Sequence, residues 1–180
     1  MDEHAASSKK VPDSHATDNS LSTVEAPPRA SILIESMRDI GYSLETALGD
    51  VIDNSITAAA TSIHIHVDAT PTVEKIAIVD NGRGMTADEL IDAMRLGSRH
   101  PSEKRNERDL GRFGLGLKTA SFSQCRRLTV VARKSGITSA AIWDLDHVAR
   151  EDRWSLQIPE RWTVIPYIEH LESDGALVLW

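Results

Sequence analysis

Three short stretches hold residue types suited to chemistry on an anionic ligand. Within GDVIDNSITAAA, residues 49–60, stand Asp50, Asp53 and Asn54 in an otherwise apolar, helix-forming run. At 100° per residue Asp50, Asp53, Asn54 and Thr57 share one stripe, and Leu44, Leu48, Val51, Ile52 and Ile56 are expected to be buried on the other side. Asp50 and Asn54 are four apart and therefore neighbours. A carboxamide oxygen is a neutral hard ligand for Mg²⁺, and a carboxylate beside it can take a proton from water. The plainer alternative is an amphipathic helix showing its wet face to solvent.

The second stretch, VDNGRGM at 79–85, ends an apolar strand in Asp80 and follows it with Gly82 and Gly84. A carboxylate at a strand end can accept a hydrogen bond from a ligand, and the glycines let a flat group approach the backbone. An ordinary Asp-Asn-Gly turn would read the same way. The third, GRFGLGLKTA at 111–120, is a glycine-rich bend running into a helix, where free N–H groups and the helix dipole make a phosphate cradle. Its spacing is neither that of a P-loop nor that of a dinucleotide fingerprint.

The elements that must position these residues follow from local signals. ASILIESMRDIGYS reads as a short helix closed by Gly41, and Ser43 then caps the helix that carries Asp50 and Asn54. SIHIHVD and EKIAIVD read as a strand hairpin, and Thr86 with Glu89 has capping-box spacing at the start of a third helix. Residues 97–110 are charged, contain Pro101 and lack periodicity, so a long mobile loop is expected there. RRLTVVAR and TSAAIWDLD pair around Ser135-Gly136, PERWTVIPYIEHLE is expected to be a helix kinked at Pro166, and GALVLW is strand-like. Residues 1–29 lack apolar periodicity and are expected to be a disordered arm; 30–180 is one domain, expected to continue past Trp180.

Composition narrows the classes. Hydrophobic residues make up 41% of the 180, aromatic ones only 4%, so the core rests on Ile, Leu, Val and Ala, as suits an α/β protein. One cysteine, Cys125, rules out an internal disulfide, and the absence of a signal-like or membrane-length run gives a cytoplasmic reading. The net charge of −7 is uneven: 95–134 holds eleven Lys and Arg against three Asp and Glu, a net +8. A basic middle in an acidic chain suits a locally bound anion.

In order, the motifs are acid-x-x-x-Asn on a helix, DxGxG after a strand, a basic loop, and GxxGxG opening a helix. Over about 30–180 this series resembles the GHKL ATPases, the group of gyrase, heat-shock chaperone, histidine kinase and MutL, and the stretches ALGDVIDNSITAAATSIHI and GRFGLGLKTASF look most like MORC-like and bacterial relatives. The resemblance implies a two-layer α/β sandwich of the Bergerat type, a mixed sheet with helices on one face. It places the N box on DVIDNS and the two glycine boxes on DNGRGM and GRFGLGLKTA, with a lid over 97–110. By the same resemblance Asn54 holds Mg²⁺ bridging the ATP phosphates, Asp80 takes the adenine amino group, and Gly82, Gly84 and Met85 line the purine pocket. Phe113, Gly114, Leu115, Gly116, Leu117 and Lys118 then hold the phosphates.

The implied activity is Mg²⁺-dependent ATP hydrolysis driving a dimerisation switch, with a DNA or protein client engaged through regions beyond Trp180 and no membrane. Two departures bear on it. The family's general base is Glu, and the matching residue is the shorter Asp50. The late Gly-Thr pair is Gly175-Ala176, whose methyl cannot donate a hydrogen bond, so either adenine binding is expected to be weaker or its water is held by another group such as Ser55. The alternatives are a non-hydrolysing ATP sensor and, with no phosphoacceptor His on a helical pair before Asp50, more remotely a protein kinase of the same fold. His64 and His66 share a strand face without a third ligand nearby in sequence, and Arg126 and Arg127 lack the aromatic pattern of a nucleic-acid surface.

Overall fold

Local capping signals fix the ends of the first elements. A computed structural model describes residues 21–39, 41–70, 73–97 and 116–180. Lid residues 98–110, Phe113, Gly114 and Leu115 lie outside these residues, as do residues 1–20 of the expected arm; 21–29 is exposed and without regular structure. Helix α1 spans Ala30–Arg38, and Gly41 follows it at φ +81°. Helix α2 spans Leu44–Thr57, with the Ser43 hydroxyl accepting from the Thr46 N–H at 3.3 Å. Strands β1 (Ile63–Thr70) and β2 (Val73–Asp80) form the expected antiparallel hairpin. Helix α3 (Ala87–Met94) opens with a complete capping box, the Glu89 carboxylate accepting from the Thr86 N–H at 2.8 Å and the Thr86 hydroxyl from the Glu89 N–H at 3.3 Å.

Helix α4 spans Gly116–Gln124, and β3 (Arg127–Lys134) and β4 (Ile137–Asp144) pair around Ser135 and Gly136. Helix α5 (Leu145–Glu151) follows, and strand β5 (Gly175–Leu179) is the last element. The sheet order is β1-β2-β5-β3-β4, so the final strand inserts at the centre. Each pairing is antiparallel; the sandwich is as expected, but its sheet is not mixed. Strands β2 and β3 run parallel to each other across the gap that β5 fills antiparallel to both, and the chain between them carries α3 and α4.

One face of the sheet carries the helices over a core of Ile34, Val51, Leu90, Phe122, Val130 and Val178, among others. The other face also buries apolar side chains, Ala77, Val79, Val131 and Leu177 meeting Ile165 and Leu171. Burial on both faces is why β2 reads as a continuous apolar run rather than an alternation. The cover on that second face is not the expected helix. Residues 159–172 form two single 3-10 turns, Trp162–Val164 and Ile168–His170. Pro166 holds the preceding Ile165 in extended geometry, φ −72° and ψ 129°, and Tyr167 turns left-handed at φ +66°.

The buried stripe of α2 also differs from expectation. Ala47, Val51 and Ser55 are buried, whereas Leu44 and Ile56 are 41% and 54% exposed. Small side chains at four-residue spacing let α4 and the strand end pack closely on α2, and this rotates Ile56 outward.

Candidate functional site

Helix α2 touches both glycine-bearing segments and so sets the geometry of the site. On its buried stripe, Ser55 donates its hydroxyl to Asp80 Oδ2 at 2.8 Å. Asp80 Oδ1 accepts from the Gly82 N–H at 2.8 Å and the Ala176 N–H at 3.2 Å. The carboxylate is 8% exposed, with three donors on its oxygens. A carboxylate offers about four acceptor positions, so one remains for a ligand N–H. The hydroxyl that Ala176 lacks is thus replaced by its own backbone N–H, opposite Asp80 in the sheet register, and by Ser55.

The corner after β2 is fixed by backbone contact. Gly84 sits at φ +59°, and a Cβ there would lie 1.8 Å from the carbonyl oxygen of Arg133. Gly175, at φ +154°, would place a Cβ 2.0 Å from the Asp80 carbonyl oxygen. Met85 is half-buried against the helix-side core. Asn81, which the sequence reading passed over as a turn residue, accepts from the Thr61 and Ser62 N–H groups at 2.9 and 2.8 Å and ties the corner to the start of β1. Arg83 was also missed; it donates to the Thr57 carbonyl at 2.9 Å at the C-terminal end of α2. Neither role has a local sequence signal, because both partners lie about twenty or more residues away.

The other end of the site is less tied. Asp53 and Asn54 are exposed, and Asp50 is half-buried. Asn54 donates its amide N–H to the Asp50 carbonyl at 2.8 Å, leaving its amide oxygen without a donor among the described residues. That is the donor set a hard cation needs. Asp50 Oδ2 lies 3.6 Å from where a Cβ on Gly116 would stand, so the carboxylate faces the first turn of α4. Burial, and secondarily the Asp53 charge, raise its pKa above the usual aspartate value. The amides of Gly116, Leu117 and Lys118 belong to that first turn, where N–H groups have no intrahelical partner. The Lys118 side chain runs the other way: it is 2% exposed and its ammonium donates to the Ala93 carbonyl at 2.8 Å.

Other residues singled out by type have structural settings. His170 stacks on His66 with ring centroids 4.2 Å apart, adding the third histidine that the sequence did not show. No group of three or more His, Cys, Asp or Glu among the described residues is arranged to hold a metal. Arg126 pairs with Glu35 at 2.8 Å and Asp146 at 2.6 Å, which occupies its guanidinium. Burial pushes the Cys125 thiol up to about 12, making it unreactive. Among the described residues no helix is long and apolar enough to cross a membrane.

Comparison with known proteins shows the family. Residues 42–176 fit the family model for the histidine kinase-, DNA gyrase B- and HSP90-like ATPase. The DNA mismatch repair protein MutL of Colwellia psychrerythraea is 38% identical over 100 residues, 53% of this chain and 15% of that protein. ATPase morc-1 of Caenorhabditis elegans is 31% identical over 108 residues, covering 60% and 12%, and chaperone protein HtpG of Mycolicibacterium vanbaalenii is 30% identical over 94, covering 46% and 14%. The chain therefore spans only a small part of the length of these relatives. Since the family model covers most of the chain and takes in Asp50, Asn54, Asp80 and the start of α4 together, the chain belongs to this family of ATP-binding, nucleotide-switched domains.

Proposed function

We propose that the chain binds and hydrolyses ATP with Mg²⁺ in the hollow between α2, the Asp80 corner and the start of α4. The observation that carries the reading is that one helix serves both ends. Ser55 on α2 holds Asp80 at 2.8 Å, and Asp50, on the same helix, faces Gly116. Asp80 accepts the adenine amino group on its remaining lone pair, with Gly82, Gly84 and Met85 beside the purine. Asn54 presents its free amide oxygen to the metal, and the amides from Gly114 to Lys118, with Phe113 and Leu115, meet the phosphates. The metal, when bound, neutralises charge building on the phosphate oxygens.

Asp50 accepts the proton of the attacking water. Its raised pKa suits that task, because a stronger base takes a proton more readily. Lys118 donates its ammonium to the Ala93 carbonyl, and its backbone N–H is the group it offers to the phosphates. Nucleotide-dependent pairing of two copies, with a DNA or protein client, completes the reading, supported by the family and by relatives named as a mismatch repair protein, an ATPase and a chaperone.

The shorter side chain of Asp50 favours one second reading, an ATP sensor without turnover. Phosphate release by pure protein separates the two. Asp50→Asn is expected to lower the Mg²⁺-dependent rate by about 10²-fold or more with ATP binding retained. Asp80→Asn is expected to weaken binding by roughly 10- to 100-fold. Tight binding with no phosphate release in the unaltered protein would establish the sensor.

A further inference from the structure

A cavity of about 720 Å³ opens beside α4, among α1, α3 and β4. Its walls come from α1 (Leu33, Met37), α3 (Ile91), the residue Leu96 just after it, and two tryptophans, Trp143 of β4 and Trp154 beyond α5. Asp50, Asn54 and Asp80 are not among its lining residues, and Thr119, one turn after Gly116, is the α4 residue that reaches it. Trp143 is held rigidly: its indole N–H donates to the Met94 carbonyl at 2.8 Å, and its ring meets Phe122 and Trp154 edge to face at 6.2 and 6.4 Å. Leu33 and Trp154, 39% and 38% exposed, stand at the mouth.

Apolar side chains dominate this lining, and its volume falls within the roughly 300–1,000 Å³ of small-molecule sites. A concave, aromatic-walled hole of this size fits a compact ligand better than a protein surface, which needs a broad patch. Among the described residues the one charged lining residue is Arg95, whose described ion pair is a long one of 3.7 Å to Asp92, with both side chains about two-thirds or more exposed. Its guanidinium therefore retains donors for an anion, partly shared with Asp92.

We propose that this cavity is a second ligand site, separate from the nucleotide hollow, for a small molecule with a flat apolar body and one anionic group. The body lies between Trp143, Trp154 and the aliphatic walls, and the anion faces Arg95. The inference does not depend on whether the chain hydrolyses ATP.

Titration calorimetry of the full chain with 2-naphthoate and its neutral isostere 2-naphthamide tests it. One saturable site per chain is expected for each, unchanged by a saturating non-hydrolysable ATP analogue. Arg95→Gln should weaken naphthoate about threefold, the scale of an exposed ion pair, and leave naphthamide unchanged. Leu33→Trp, at the mouth where folding is tolerant, should weaken both by about tenfold or more by filling the hole, and a thermal melt of each variant confirms that it is folded. No saturable binding, displacement by the ATP analogue, or binding indifferent to both substitutions would overturn the proposal.

Discussion

The two ends of the proposed nucleotide hollow, at Asp80 and at Asp50 with Asn54, are built on opposite plans. Around Asp80, three donors converge on one buried carboxylate and two glycines let backbones touch, so the geometry is over-determined before any ligand arrives. Around Asp50 and Asn54, side chains are half-buried or exposed, and the amide oxygen of Asn54 waits for a partner. Under the proposed function this contrast would divide the labour: recognition at Asp80 gains from preorganisation, and the end at Asp50 and Asn54 is left open for ligands.

The most damaging way to break the contrast is at Gly84. An alanine there meets the Arg133 carbonyl at 1.8 Å in left-handed geometry, so Gly84→Ala is expected to cost about 3 kcal/mol or more, or to prevent folding. Gly97 is the control: it also has positive φ, +70°, but among the described residues nothing lies within 4 Å of an added Cβ. Gly97→Ala should cost only the backbone strain, about 1 kcal/mol. Urea denaturation of the two variants measures the difference, and equal losses would refute the close approach as the reason for glycine at 84.

Next in size is Ser55→Ala, which takes a hydroxyl from a buried carboxylate and should cost about 1–3 kcal/mol. Asn54→Ala, one residue along but exposed, should stay within about 0.5 kcal/mol of the parent. If the two melt alike, Ser55 does not hold Asp80.

What was legible in the sequence follows the same division. Ser43, Thr86 with Glu89, Gly41 and the Ser135-Gly136 turn act on neighbours within a few residues, so their structures could be read from spacing. The motifs at Asp50, Asn54 and Asp80 could be found because each is local, and their order along the chain gave the family. Properties set by remote partners could not: Ser55 is buried because Asp80 lies beneath it, Ile56 is exposed for the same reason, and the Lys118 ammonium turns to Ala93 on another helix. The expected helix over 159–172 failed because its apolar pattern serves a sheet face through turns, which periodicity alone does not separate from a helix.

Acid titration sharpens the contrast by its sign, first at Asp50. Its folded pKa is raised above 3.8, so the native state holds its proton over a range where the unfolded chain has lost it. Stability therefore falls as pH rises through that range and stays lower above it. Asp50→Asn should be at least as stable as the parent at neutral pH, with the advantage vanishing below 3.8 in thermal melts. A less stable variant at pH 7 would mean that the carboxylate makes a net favourable contact.

Glu89, at the start of the helix that leaves the purine corner, should behave oppositely and most weakly. Lys134, donating at 2.8 and 2.9 Å, and the Thr86 N–H bring its pKa from 4.5 down to about 2. Its stabilising contribution is complete above 4.5 and is lost as pH falls through about 2. The side chain is 51% exposed, so solvent and salt screen the interaction and the effect on melting temperature is small. Melts between pH 5 and 2 should show the parent converging on Glu89→Gln as acid is added, from a larger initial gap at low salt than at high salt, where the pair is screened. Parallel curves for parent and variant would show that the Lys134 contact adds nothing to the corner, leaving the capping box and the glycines to hold it alone.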